Sequence, residues 1–231
     1  MRKLFFILTI LISFNNFVLA GEYALIENNK IQNHINEIGT QILNSNRLEK
    51  RVVFVYDDEE KMEYLKDMKS LTKRQVVVYE HAYKSVANDD ELAAYISREI
   101  PNAIRSYDGI GNGWLSSVKI KAAPKKYELV FDKLAVDYMV KAGYNPLGLI
   151  TYINKTSPQV RQDRFSNKNL TSKRLAYIYE KIYSQYPNFL INNEYIDNEY
   201  YQNFLLTSLE NRKKVKQKVD NPKMNKGLKY E

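Results

Sequence analysis

Cysteine is absent from the 231 residues. Its absence excludes a disulfide framework, a lipid-carrying cysteine behind a leader, and any thiol nucleophile. Histidine is almost absent too, with only His34 and His81. His34, set between Asn33 and Asn36, reads as a solvated helix residue, and His81 has no second His or Cys close enough in sequence to complete a zinc site. Tryptophan occurs once, at 114. The apolar run from Leu4 to Phe14 falls short of the ~20 residues that span a bilayer and is followed by Asn15 and Asn16. Strong charge of one sign is missing from the body of the chain as well. Of the formal +8, Arg2 and Lys3 supply +2, and residues 211–231, with eight Lys/Arg against two acids, supply +6. Residues 21–210 are therefore formally neutral, which removes support for a nucleic-acid partner.

What is present fits one globular domain with a sizeable core: 44% of the residues are hydrophobic and 13% of the chain is aromatic. The first twenty residues have a basic start, an apolar stretch and Val18-Leu19-Ala20 before Gly21, the pattern of a secretory signal. Retention of that segment as an anchor is the alternative. The expected organisation is a signal peptide at 1–20, a domain at 21–210 and a basic, disordered tail at 211–231, in an exported and periplasmic protein. Arg212, Lys213, Lys214, Lys216 and Lys218 in the tail would give it weak contact with an anionic surface, about 1 kcal/mol per charge.

Along the domain, Ile31, Ile35, Ile38 and Ile42 mark an amphipathic helix from Tyr23 to about Asn46. Val52 to Tyr56 and Val76 to Tyr79 are β-branched runs of strand length that predict a small sheet, and Met62, Leu65, Met68 and Leu71 between them hint at a short helix. Asn88 with Glu91 forms a capping-box signature. Behind it Leu92, Ile96, Ile100 and Ala103/Ile104 form one stripe, interrupted by Pro101, which predicts a kink. Asp108-Gly109-Ile110-Gly111-Asn112-Gly113 is turn chemistry that fits no phosphate-binding loop. Tyr127 to Ala142 carries Phe131, Leu134, Ala135, Tyr138, Met139 and Ala142 on one face, with Gly143 placed as a left-handed stop and Asn145-Pro146 opening another helix. Leu175, Ile178, Tyr179 and Ile182 predict a further amphipathic helix, and Ile196 to about Val219 reads as helical again.

Three stretches in order resemble the zinc metallopeptidase family that includes HtpX, the CAAX prenyl protease and BepA. Glu91-Leu92-Ala93-Ala94 followed by Arg98-Glu99-Ile100-Pro101-Asn102 resembles the helix that carries His-Glu-x-x-His. In that family the two His hold zinc and the Glu serves as general base. Glu128 through Asp132 resembles the element that supplies the third ligand and, four residues on, a carboxylate behind the ligands. Ser166 to Ile178 resembles the segment that places a His near the substrate carbonyl and an Arg at the next helix. Here Lys168 and Asn169 stand at its His-Pro, and Arg174 matches its Arg. The family's Asn-Ala segment and glycine-bearing turn before its substrate-facing edge strand have no counterpart.

The resemblance implies an α+β, mainly helical, zincin-like domain with a small sheet and crossed active-site helices. It also implies that the chemistry has been lost. Only Glu99 of the five motif residues matches the pattern, as a vestigial general base. Arg98 has no lone pair to give a metal, Asn102 offers a weak amide oxygen, and Glu128 and Asp132 complete the degenerate metal-site positions. Lys168 and Arg174 are vestigial on the substrate side. The reading is a catalytically inactive, metallopeptidase-like binding or chaperone-like factor of the cell envelope, without zinc or another cofactor, whose partner is an envelope protein or peptide. An active peptidase with atypical metal ligands is the alternative. Without the ion, Glu128 would face an uncompensated gap, so the Arg98 guanidinium is expected to pair with Glu128, and secondarily with Asp132.

Overall fold

The computed structural model describes residues 26–58, 74–107, 124–157, 171–221 and 228–230. The expected signal peptide at 1–20, the connection with Met62 to Leu71, the glycine-rich stretch with Trp114, and the segment with Lys168 lie outside these residues.

The first described helix, α1, covers residues 26–45 and buries Ile35, Ile38 and Ile42, the predicted stripe. It packs with a two-stranded sheet of β1 (Val53–Asp57) and β2 (Gln75–Tyr79), which run parallel with Val53 opposite Gln75 and Asp57 opposite Tyr79. Parallel strands cannot be joined by a tight turn. One edge of β1 is covered by a side chain: Gln32 donates to the Phe54 carbonyl at 3.0 Å and accepts from the Tyr56 N–H at 2.7 Å. Two residues apart on a strand, those groups point the same way, so a single carboxamide replaces a neighbouring peptide unit.

Helix α2 (Glu80–Ser85) leads to α3 (Asp89–Tyr107). Leu92, Ile96, Ile100 and Ala103 of α3 join α1 and the sheet in one core cluster, while Ala94 belongs to a second cluster built by the helices that follow. The helix therefore lies between the two cores. Pro101 does not end it: α3 runs on for six residues beyond the proline. The capping box closes differently from expectation. The Asn88 side chain accepts from the Glu91 N–H at 3.0 Å, but the Glu91 carboxylate takes the N–H of Ala87, at 2.8 Å, instead of that of Asn88.

Helix α4 (Pro124–Lys141) ends as its sequence predicts. Gly143 has φ of +85°, the Tyr144 N–H donates to the Met139 carbonyl at 2.9 Å, and the Gly143 N–H donates to Val140 at 3.1 Å. This pair of bonds is the Schellman stop, which favours glycine because a Cβ is strained at that φ. The Asn145 side chain then caps the Leu147 N–H at 3.0 Å and opens α5 (Leu147–Thr156). Every residue from Leu147 to Asn154 is buried. A Cβ on Gly148 would sit 2.8 Å from the Asp90 Cβ and 2.9 Å from its backbone carbon, so the glycine is what lets α5 approach the first turn of α3.

Helices α6 (Thr171–Gln185), α7 (Asn188–Ile191), α8 (Glu199–Thr207) and α9 (Leu209–Asp220) complete the described architecture, which is mainly helical with one small parallel sheet. α4 packs on α3 and α6, and α5 on α3, α6 and α8. The expectation of a disordered tail from Asn211 needs correction for its first half. Residues 211–220 are helical, with Asn211 and Val215 buried against α6. Apolar and polar anchors set among the lysines dock this helix, which composition alone does not reveal.

Candidate functional site

Three helices bring most of the singled-out residues together. Arg98 lies on the buried side of α3, Glu128 and Asp132 lie one turn apart on α4, and Arg174 lies in the first turn of α6. Asp132 is the centre. Its side chain is fully buried, and both oxygens are occupied by guanidinium N–H groups. Arg98 Nε donates to Oδ1 at 2.9 Å, Arg174 Nη2 donates to the same oxygen at 2.9 Å, and Arg174 Nε donates to Oδ2 at 2.7 Å. Arg174 thus grips the carboxylate with two parallel bonds, the geometry that suits a planar fork. A cation in the first turn of a helix faces the positive end of the helix dipole, so Arg174 depends on this carboxylate.

Arg98 has three acidic neighbours. Besides Asp132, Nη1 reaches Glu99 Oε1 at 3.3 Å and Nη2 lies 3.9 Å from Glu128 Oε1. The expected order of partners is therefore reversed. Asp132 is the close contact, while Glu128, 38% exposed at its side chain, stands at the limit of an ion pair. One turn along α4 takes the carboxylate from the mouth of the cluster to its floor, and the Arg98 stem is long enough to reach the floor. Burial by itself lowers the Arg98 pKa, but Asp132, Glu99 and Glu128 more than offset it, so the value is raised and the guanidinium stays charged.

Asn102 donates to Glu99 Oε2 at 3.1 Å, so the amide at one ligand position is engaged with the acid that the resemblance casts as general base. The inner wall is aromatic. Tyr95 and Tyr152 meet edge to face at 5.9 Å, and Tyr95 donates its hydroxyl to the Val77 carbonyl at 2.7 Å, tying α3 to the sheet. Burial pushes the Tyr152 phenol up to about 12. Lys168 lies outside the described residues.

The donor set at these positions does not fit zinc. Arg98 brings a cation where a lone pair is needed, Asp132 has both oxygens filled by guanidinium, and Glu128 remains as one half-exposed carboxylate.

A second polar cluster, at the first turn of α3, escapes motif reasoning. Glu91 is fully buried and pairs with Lys155 of α5 at 2.6 Å; Lys155 also donates to the Ser85 carbonyl at 2.9 Å. Next to it, Asp90 accepts the Asn145 N–H at 2.8 Å and the Tyr195 hydroxyl at 2.9 Å. These pairs join residues 55 to 105 positions apart. No local spacing signals them; Glu91 reads in the sequence only as the partner of Asn88 in a capping box. His34, expected as a solvated residue, instead bridges Tyr83 and Asp89, each at 3.0 Å. His81 is exposed and stacks on Tyr79, with ring centroids 5.8 Å apart.

Compared with models of known families, with curated proteins and with solved structures, the chain matches none.

Proposed function

We propose that this chain is an exported, non-catalytic protein with a zincin-like arrangement of its helices, acting as a binding or chaperone-like factor of the cell envelope. The observation that carries this reading is the filling of Asp132. The residue that resembles the carboxylate behind the ligands is bonded by two guanidiniums, one of them from a position where the resemblance calls for a ligand. Such a cluster fixes three helices and leaves nothing to activate water. A guanidinium has no open coordination position and cannot lower a water pKa as a metal ion does. Glu99, the one motif residue of the resemblance that is kept, has its oxygens engaged by Arg98 and Asn102.

The test is the metal content of the purified chain, together with hydrolysis of unstructured protein. Far less than one zinc per chain is expected, with no cleavage above background after zinc is added. Stoichiometric zinc that is lost in an Glu128→Ala variant would overturn the proposal and restore the peptidase reading. A pull-down from the envelope fraction would then identify what is bound.

A further inference from the structure

Residues 228–230 return to the helical body and seat one side chain. Tyr230 is only 4% exposed, and with Ala176 and Val215 it makes a small core of its own between α6 and α9. Its ring meets Tyr177 edge to face at 4.9 Å, its hydroxyl donates to Glu180 Oε2 at 2.8 Å, and Lys218 of α9 stands 5.3 Å from the ring centroid. Lys218 also pairs with Glu180, and Lys133 of α4 lies over the Tyr177 ring. The seat is thus specific at both ends of the side chain. An aromatic wall receives the ring, and a carboxylate held by a lysine receives the hydroxyl. The neighbours of Tyr230 are not drawn in with it: Leu228 is half-buried and Lys229 exposed.

We propose that the α6–α9 groove is a recognition site for a tyrosine-bearing peptide segment, filled in this chain by its own residues 228–230, and that its ligand in trans is the same segment of a second copy. Every copy carries both the groove and a segment that fits it, so reciprocal exchange closes a two-fold dimer. A segment tethered by a short linker presents its anchor at an effective concentration on the order of millimolar, so the internal contact wins in dilute solution and exchange takes over when that contact is blocked. The chemistry also sets the specificity. A phenylalanine fills the ring site but gives Glu180 no donor, and a phosphotyrosine sets negative charge against the Glu180 carboxylate.

The experiment uses the full chain with Tyr230→Ala and a fluorescent peptide with the sequence of residues 223–231, followed by anisotropy. The expected result is saturable binding to Tyr230→Ala, roughly ten-fold or more tighter than to the wild-type chain, whose groove is already filled. The phenylalanine peptide should bind more weakly, and the alanine and phosphotyrosine peptides should not bind. A folded Tyr230→Ala chain that ignores the peptide, or binds the alanine peptide equally well, overturns the proposal. Should Tyr230→Ala fail to fold, the wild-type chain serves. Competition with the tethered segment places its dissociation constant at about millimolar, and no saturable binding at several times that concentration refutes the site. The second-copy ligand is tested by mixing Tyr230→Ala, which keeps the groove, with Glu180→Lys, which keeps the tyrosine and spoils its seat. Each alone should sediment as a monomer and the mixture as a one-to-one complex; a mixture that stays monomeric while the peptide binds shows that the ligand in trans is not a second copy.

Discussion

One buried carboxylate network stands against the middle of helix α3 and another at its first turn, and the two are satisfied to different degrees. At the middle, Asp132 of α4 receives three N–H groups on two oxygens from Arg98 and Arg174. At its first turn, Glu91 places both of its bonds, from Ala87 and Lys155, on Oε2, while Oε1 is buried with no hydrogen-bond partner among the described residues. A buried charge must be paired, and the cost of an unpaired one far exceeds the worth of a surface pair. Both carboxylates have a cation beside them, but the cluster that resembles an active site is the more completely hydrogen-bonded of the two. Resemblance to a motif shows where chemistry could have stood, whereas the state of each oxygen decides whether the site can still act.

The largest effect that would test this contrast is Asp132→Asn. Because both oxygens accept from guanidinium, whichever one becomes the amide nitrogen sets N–H against N–H and leaves two buried cations short of a counter-charge. A loss of about 3–5 kcal/mol is expected in urea unfolding, read as a lower midpoint with unchanged slope. A loss below about 1 kcal/mol would mean that the arginines find other partners, and the cluster could not be what fixes the three helices.

A smaller effect comes from the tyrosines that line the two networks. The phenols of Tyr144, facing Asp89 and Asp90, and of Tyr152, facing Arg98, are both pushed up to about 12, in each case chiefly by burial. Their folded values lie above the unfolded one, so the stability they contribute is present in full below about pH 10 and is lost as the pH rises toward 12. For the more deeply buried Tyr152 this amounts to roughly 2 kcal/mol by pH 12. Tyr152→Phe should flatten the alkaline limb of a stability-against-pH curve; a limb as steep as that of the wild type would remove Tyr152 from the wall of the arginine cluster.

Glu91→Gln should also cost less than Asp132→Asn, about 2 kcal/mol in the same urea measurement, because Lys155 loses its counter-charge but keeps its hydrogen bond. The idle Oε1 is a place for the amide nitrogen, and the remaining oxygen can still accept from Ala87 and Lys155. The opposite ranking, with Glu91→Gln costing more than Asp132→Asn, would break the comparison outright.

How much of this was legible in the sequence follows from the range of the forces involved. The stripe of Leu92, Ile96 and Ile100, the β-branched runs, the Gly143 stop and the Asn145 cap are local, and the structure has them where spacing puts them. Helix α5 is buried at every residue from Leu147 to Asn154, Thr151 and Asn154 included, so its polar residues do not mark an exposed face, and only its packing shows it to be central. The parallel pairing of β1 with β2 depends on the path between them and not on either run. At the site, the resemblance selected Arg98, Glu128, Asp132 and Arg174 from three separate stretches, and the structure brings all four together. It did not select Asp132 as the acid that joins the two arginines. Two carboxylates four residues apart share a helix face, and which of them lies deeper is decided by the neighbouring helices.

That last choice gives the smallest effect and the sharpest test of it. Glu128, expected to be the main partner of Arg98, stands 3.9 Å from the guanidinium and is 38% exposed, so water screens the pair and can replace it. Asp132 holds the same guanidinium at 2.9 Å, fully buried. Glu128→Gln removes one charge, keeps the shape, and leaves every hydrogen bond of Asp132 in place. The change in unfolding free energy should stay within about 0.5 kcal/mol, and it should shrink further in high salt, because an exposed pair at this distance is screened. In the double variant with Asp132→Asn, a modest coupling is expected, because Arg98, deprived of its floor partner, can swing toward Glu128 and recover part of the loss, so removing Glu128 should matter more in that background than in the wild type. A single Glu128→Gln cost comparable to that of Asp132→Asn would mean that Arg98 rests at the mouth of the cluster and not on its floor, and the ion-pair arrangement first expected from the resemblance would replace the one described here.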